Sequence, residues 1–389
     1  MMSSEFNIKA GNSSLVIRIG TVIDSNETAA YNWAKYLNET LKRELGNSFP
    51  DFKWDFKIIA RNDFSQEIPK DPIDLLELGS DIKIEYKFDF VLVFTTLPLK
   101  SRFEQGVNAV PSNILETAVI SISKILEKYD NQATKKILLI LAKHVLGHLW
   151  GLEHKDGTVM MDRKFWTPED PSDWDNEETA QIKEYLLNVA DPRLEEMSNP
   201  VRNKFLFYLK LIIREKWSLF RDILFSKTLF MILHLGRFVT ATVVSLMFLF
   251  LTAEAWEIGA AMSPLYLDIS AIFVIIIGTL SIYFGQNFQE IARSDKLMEQ
   301  TARSKIVLVG TLISGMAIYW IILFLISLII IYLLPENILS SWAGLNKTQF
   351  SYFHFAKFMA TIGVFASAVG GNLEEENQIK AVLIYTEET

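Results

Sequence analysis

Through the first 190 residues apolar positions come in short runs and helical repeats, and beyond about residue 228 they merge into long uncharged stretches. Leu15 to Ile23 (LVIRIGTVI) is a β-branched run closed by Asp24-Ser25-Asn26, the pattern of a buried strand. A helix is expected next, with Ser25 as its N-cap. Ala29, Trp33, Tyr36, Leu37 and Leu41 then recur at helical spacing until Gly46. Phe52 to Ala60 alternates apolar with charged residues and predicts a strand with one wet face. Ile73 to Leu78 reads as a short helix, and Phe88 to Thr96 (FDFVLVFTT) as the most apolar strand. Gly106 to Ser112 and Ile114 to Ser123 suggest further strands leading into a helix that ends in a cluster of histidines. After an acidic loop, Asp175-Asn-Glu-Glu178 has the form of a capping box and opens a helix through Ala180, Ile182, Tyr185 and Leu186. Strand, helix, strands and helix in this order predict an α/β (α+β) domain over residues 1–195.

The second half obeys a different rule. Leu229 to Ala253, Pro264 to Phe284 and Ile306 to Leu334 are each long enough to cross about 30 Å of hydrocarbon at about 1.5 Å per residue. Residues 350–371 make a fourth, more polar span; they hold His354 and Lys357, and place Gly363, Ser367 and Gly371 four apart on one face. An all-α four-helix transmembrane domain is therefore expected at 229–371, followed by an acidic tail at 372–389. Between the two domains, 196–228 is a linker rich in Lys and Arg. From Val201 to Lys227 it carries seven basic residues against two acids, interleaved with Phe205, Phe207, Leu211, Trp217 and Phe220, a composition suited to a helix on an anionic membrane surface or packed on protein. Basic residues also gather between spans two and three (Arg293, Lys296, Arg303, Lys305), while Glu254 to Ser263 has none, so both termini are expected to be cytoplasmic. His234, Arg237, Asp268, His354 and Lys357 lie in or near spans, where snorkelling competes with a transport pathway.

Composition sharpens the picture in three places. A mean hydropathy of +0.20, with half of the residues hydrophobic, is too high for an ordinary soluble chain. A formal charge of −8 opposes nucleic-acid binding, which needs a basic field. Cysteine is absent, so no disulfide framework can form. The first residues, MMSSEFNIKAGNSS, lack the basic and apolar regions of a secretory signal.

The candidate chemistry lies in His144-Val-Leu-Gly-His148-Leu-Trp-Gly151-Leu-Glu-His154, which holds three of the five histidines. Residues four apart share a helix face, so His144 and His148 can present imidazoles to one ion. Gly151 lets the chain turn out of the helix, and His154 can return as a third ligand. Three neutral imidazoles suit one Zn2+.

The spacing H-x-x-x-H-x-x-G-x-x-H resembles the metzincin zinc metallopeptidases, whose pattern is H-E-x-x-H-x-x-G-x-x-H, and FVLVFTT and GVNAVPSN are similar to segments of archaemetzincins. The resemblance covers roughly residues 14–190. It implies a zincin fold with the sheet over the zinc helix, and a methionine turn in Lys155 to Met161, with Met160, or Met161 as the alternate, as an apolar floor beneath the metal. It also implies a glutamate general base beside the first ligand, and there this chain has Val145, which can neither accept nor donate a proton. Glu153, the one carboxylate inside the motif, is a substitute base only if it can turn toward the metal while its neighbour His154 does so. Archaemetzincins place cysteines after the third histidine for a second zinc; Lys155 and Asp156 occupy that region here, and no second site is expected. Three function classes stay open: a catalytically impaired or inactive metallopeptidase-like domain that binds a peptide or protein and is coupled to membrane helices, an active membrane-tethered zinc peptidase using another base, and a transporter or pore with an accessory soluble domain.

Overall fold

The computed structural model describes residues 15–102, 107–190, 203–224, 236–290, 299–342, 351–371, 380 and 384–388. The chain divides into two compact units: Met1–Met197 joined by Thr386–Thr389, and Ser198–Tyr385.

The first unit is built on a five-stranded sheet of β1 (Leu15–Asp24), β2 (Phe52–Arg61), β3 (Phe90–Thr95), β4 (Ala109–Ser112) and β5 (Thr117–Ser121), in the order β2-β1-β3-β5-β4. The first four strands in that order run parallel, and β4 closes one edge antiparallel to β5. Parallel strands need covering on both faces, and β3 is buried at every position because it receives both covers. Phe90, Leu92 and Phe94 point into a core shared with α1 (Thr28–Ser48), α4 (Asn131–Leu149) and α5 (Asn176–Val189). Val91 and Val93 take the other face, against α2 (Pro72–Tyr86), whose Gly79 permits the approach: a Cβ there would stand 2.7 Å from Val93 and 2.6 Å from Thr117.

Several local expectations shift. Helix α1 is capped at Glu27, not Ser25; the Ser25 amide instead bonds the Arg61 carbonyl at 2.7 Å, while the Glu27 carboxylate accepts from the Thr96 amide and both threonine hydroxyls of the strand end. Gly46 does not stop that helix, which runs to Ser48 because Leu45 is fully buried and tertiary packing outweighs the roughly 1 kcal/mol cost of a helical glycine. Helix α2 is longer than Ile73 to Leu78, starting on an Asp71 cap with Pro72 behind it and ending at Lys87 in the left-handed region, and a short α3 (Ser123–Lys128) precedes α4. The capping box forms as expected: Asp175 accepts from the Glu178 amide at 2.8 Å, and Glu178 accepts from the Asp175 amide at 2.9 Å.

The second unit is helical: α6 (Lys204–Leu224), α7 (Gly236–Leu251), α8 (Ala253–Ala261), α9 (Pro264–Gly285), α10 (Glu299–Leu333), α11 (Glu336–Trp342) and α12 (Tyr352–Gly371). Pro264–Gly285, Thr301–Leu333 and Tyr352–Val369 are long and apolar enough to cross a membrane; α7 and α8, bent by 87°, make a fourth if the pair is one span. The expected first span begins at Leu229, and residues 229–235 lie outside the described residues, as does His234. Helix α12 packs against α7, α9 and α10. That central position explains its lower apolarity, because Thr361 and Ser367 are buried against protein partners: Trp320 donates to the Thr361 hydroxyl at 3.1 Å, and Ser367 meets Thr242. Lys357 pairs with Asp268 of α9 at 2.6 Å. The basic helix α6 packs on α10, where Arg303 reaches Asp222 at 2.6 Å and Glu215 at 3.1 Å, and Arg214 reaches Glu299 at 3.4 Å.

Candidate metal centre

Helix α4 owes its start to Asp130, whose carboxylate accepts from the Ala133 amide at 2.8 Å. Its last two turns carry His144 and His148 on one face, and Gly151, at φ +82°, turns the chain away. The loop then returns His154 to the same point. Among their ring nitrogens, His148 Nε2 lies 3.0 Å from His144 Nε2 and 3.1 Å from His154 Nε2.

The proton positions follow from the outer partners. His144 Nδ1 faces the Val159 carbonyl at 2.8 Å and His148 Nδ1 the Leu152 carbonyl at 3.0 Å. A carbonyl only accepts, so both Nδ1 atoms carry the hydrogen, and in the neutral rings both Nε2 atoms are lone pairs aimed at each other. Two such lone pairs 3.0 Å apart repel unless a cation lies between them.

A fourth group completes the cluster. The Glu388 carboxylate stands 3.3 Å from His144 Nε2, 3.3 Å from His148 Nε2 and 3.4 Å from His154 Nε2, with all four ligand atoms within 4.8 Å of one another. A tetrahedral ion with ligands at about 2.0–2.1 Å needs neighbouring donor atoms about 3.3 Å apart. Three imidazoles and one carboxylate at this spacing fit one Zn2+ ion. Bound there, zinc would tie helix, loop and carboxylate together and offset the Glu388 charge. Burial pushes the His148 imidazole below its ordinary value despite Glu388, favouring the neutral form a metal requires. Burial would raise the Glu388 carboxyl, but where protons on the facing imidazole nitrogens stand in for a metal, their hydrogen bonds outweigh it and hold the group well below the usual carboxylate range.

The floor of the site is apolar. Met160 is fully buried, and its side chain fills the space that a Cβ on Gly147 would need; that Cβ would also come within 3.3 Å of Trp174 Nε1. Arg163 holds the loop beneath His144 by donating to the Val159 carbonyl at 3.0 Å and the Met161 carbonyl at 3.1 Å, while its guanidinium lies over Trp166. Trp166 in turn meets the His144 ring edge-on, 5.1 Å between centroids. From the helix side, Lys143 reaches Asp173 at 2.6 Å, and the Asp173 carbonyl accepts from the Val159 amide at 3.0 Å.

Val145 is fully buried in the apolar core. Glu153 is exposed and lies outside the four-residue cluster, and Met161 is half-buried. Lys155 pairs with Asp175 at 2.7 Å and Glu177 at 2.8 Å, joining the loop after His154 to the start of α5. Glu388 was missed by motif reading because it lies 244 residues from His144 in sequence, in a segment whose only local signal is a run of acids.

No protein-family model matches the sequence, and no curated protein matches it. Among solved structures the chain is similar to an archaemetzincin from Methanopyrus kandleri, at 17% identity over 44% of this chain and 97% of that one, with a TM-score of 0.36. A zinc-dependent peptidase from Methanocorpusculum labreanum and an archaemetzincin from Archaeoglobus fulgidus complexed with malonate are each similar at 16% identity, over 42% of this chain and 99% of theirs, with TM-scores of 0.33.

Proposed function

We propose that this is a membrane-anchored, zinc-binding, metallopeptidase-like domain without ordinary peptidase activity, acting as a binding or regulatory module coupled to its membrane helices. The observation that carries the reading is the chemistry around the three imidazoles. On the helix that bears His144 and His148, the position where a general base is expected is Val145, buried in hydrocarbon, and among the described residues the carboxylate within reach of the ring nitrogens is Glu388, which takes the place of a fourth ligand. A catalytic zinc keeps one position open for water, whereas a site with four protein ligands is closed. A positioned base contributes roughly 10²–10⁴-fold to such chemistry, and neither Val145 nor the exposed Glu153 supplies one. Among the described residues, three helices long and apolar enough to cross a membrane, or four if the bent pair is one span, support the anchor.

Two measurements test this together. Purified full chain from zinc-replete medium is expected to hold one zinc per chain, and a His144→Ala, His148→Ala variant none. The zinc-loaded chain is expected to leave a mixed peptide library uncut over hours. Chelator-sensitive cleavage at ordinary metallopeptidase rates that vanishes in His148→Ala would show a working peptidase instead.

A further inference from the structure

We propose that Glu388 is the fourth metal ligand and that Thr386–Glu388 is a resident strand of the metal domain, a latch held shut by the ion it covers. This rests on the zinc reading above and adds to it a function for the segment that follows the last hydrophobic helix in sequence.

Backbone and side chain support the latch independently. Along the backbone, the Glu388 amide donates to the Ala109 carbonyl at 2.8 Å, and the Glu388 carbonyl accepts from the Asn108 amide at 2.8 Å and the Ala109 amide at 3.1 Å. The Thr386 amide reaches the Pro111 carbonyl at 3.3 Å, so the segment runs antiparallel along the outer edge of β4 and satisfies groups that an edge strand leaves unpaired. Side chains then alternate as a strand requires. Glu387 turns to one side, accepting from the Arg102 amide at 2.7 Å and the Ser101 hydroxyl at 3.1 Å, while Glu388 turns to the other, onto the three imidazoles. The register is thereby pinned at two points. A slip of one residue would send Glu387 toward the metal and Glu388 away from it.

The chemistry agrees with the geometry. Three neutral imidazoles leave the full double charge of the ion in a buried place, and one carboxylate halves it, which lowers the desolvation cost. The arrangement is reciprocal: metal holds the strand, and the strand closes the metal to water and to any other carboxylate. A competing ligand must therefore be an extended peptide that can both pair with β4 and present a carboxylate, since anything less replaces only half of what Thr386–Glu388 supplies.

The test uses the full chain in detergent, with zinc itself as the probe. Glu388→Gln keeps the side-chain shape and removes the charge; competition against a chromophoric chelator is expected to show zinc affinity falling by at least about tenfold, the scale on which even outer-shell partners act. Glu153→Gln, outside the cluster, should leave affinity unchanged. Hydrogen exchange gives a second readout that needs no substitution: the Ala109 and Glu388 amides of the wild-type chain should be protected with zinc and lose that protection when a chelator removes it, while the amides of β3 stay protected. Wild-type zinc affinity in Glu388→Gln, or protection at Ala109 and Glu388 that is indifferent to zinc, would overturn the latch and leave the zinc reading standing. A wild-type chain that takes up no zinc overturns both.

Discussion

At the scale of single residues, Val145 and Glu388 bear on the same problem in the proposed reading, one as a buried apolar side chain next to His144 in sequence and the other as a carboxylate at the three imidazoles. One withholds a proton acceptor, and the other occupies the position where a water would have to enter. Restoring only the first should therefore do little. Val145→Glu alone is expected to leave peptide cleavage at background, because Glu388 still closes the metal. Val145→Glu combined with Glu388→Gln is expected to exceed Glu388→Gln alone by at least about tenfold, read from the cleavage rate of a mixed peptide library at saturating zinc. The introduced glutamate replaces a fully buried valine, so its thermal midpoint should fall, and an unpaired polar group in hydrocarbon costs on the order of 1–3 kcal/mol. Equal cleavage by the double and single variants, both folded and zinc-loaded, would show that position 145 does not face the metal.

At the scale of elements, the site is a helix clamped to a loop, and the clamp can be tested where they touch. Gly147 lies on the helix against Met160, and a methyl group there would collide with the methionine sulfur. Alanine gains about 1 kcal/mol of helix propensity over glycine, whereas overpacking a full core costs about 1–3 kcal/mol. Because Met160 is fully buried and cannot swing out, the second effect should win, and Gly147→Ala should lower the thermal midpoint. A raised midpoint would mean that the methionine side chain yields. At the next junction, Asp175 lies below the usual carboxylate range through the Glu178 amide and, after it, Lys155. A depressed folded pKa means stability present above the unfolded value of about 3.9 and lost as pH falls through the folded one. Melting curves taken at stepwise lower pH should show a shallower decline for Asp175→Asn, which keeps a capping oxygen but does not titrate. Identical declines in the two proteins would remove Asp175 from the account.

At the scale of the whole molecule, a domain that holds a metal is joined in sequence to helices long and apolar enough to cross a membrane. From the distribution of Lys and Arg we propose that the first unit and the α9–α10 connection face the cytoplasm. The chain has no cysteine, so single labels are clean. In intact cells Glu257→Cys should react with an impermeant thiol reagent and Met298→Cys should not; the reverse pattern would invert the proposed topology.

Periodicity and composition determined much of this protein. Alternating and continuous apolar runs located the strands because sheet faces need partners, and hydrophobic length located the long helices because hydrocarbon tolerates no unpaired backbone. The spacing of His144, His148, Gly151 and His154 brought three imidazoles together, since residues four apart on a helix meet whatever surrounds them. Boundaries were less legible: Ser25 reads as a cap by type, but Glu27 takes that place because the ends of β3 offered its carboxylate three donors. What only the tertiary structure decided is the fourth ligand. Glu388 is one acid in an acidic run, indistinguishable in sequence from Glu387. It becomes a metal ligand only because pairing along the free edge of β4 turns alternate side chains to opposite faces, and that edge lies beside the three imidazoles.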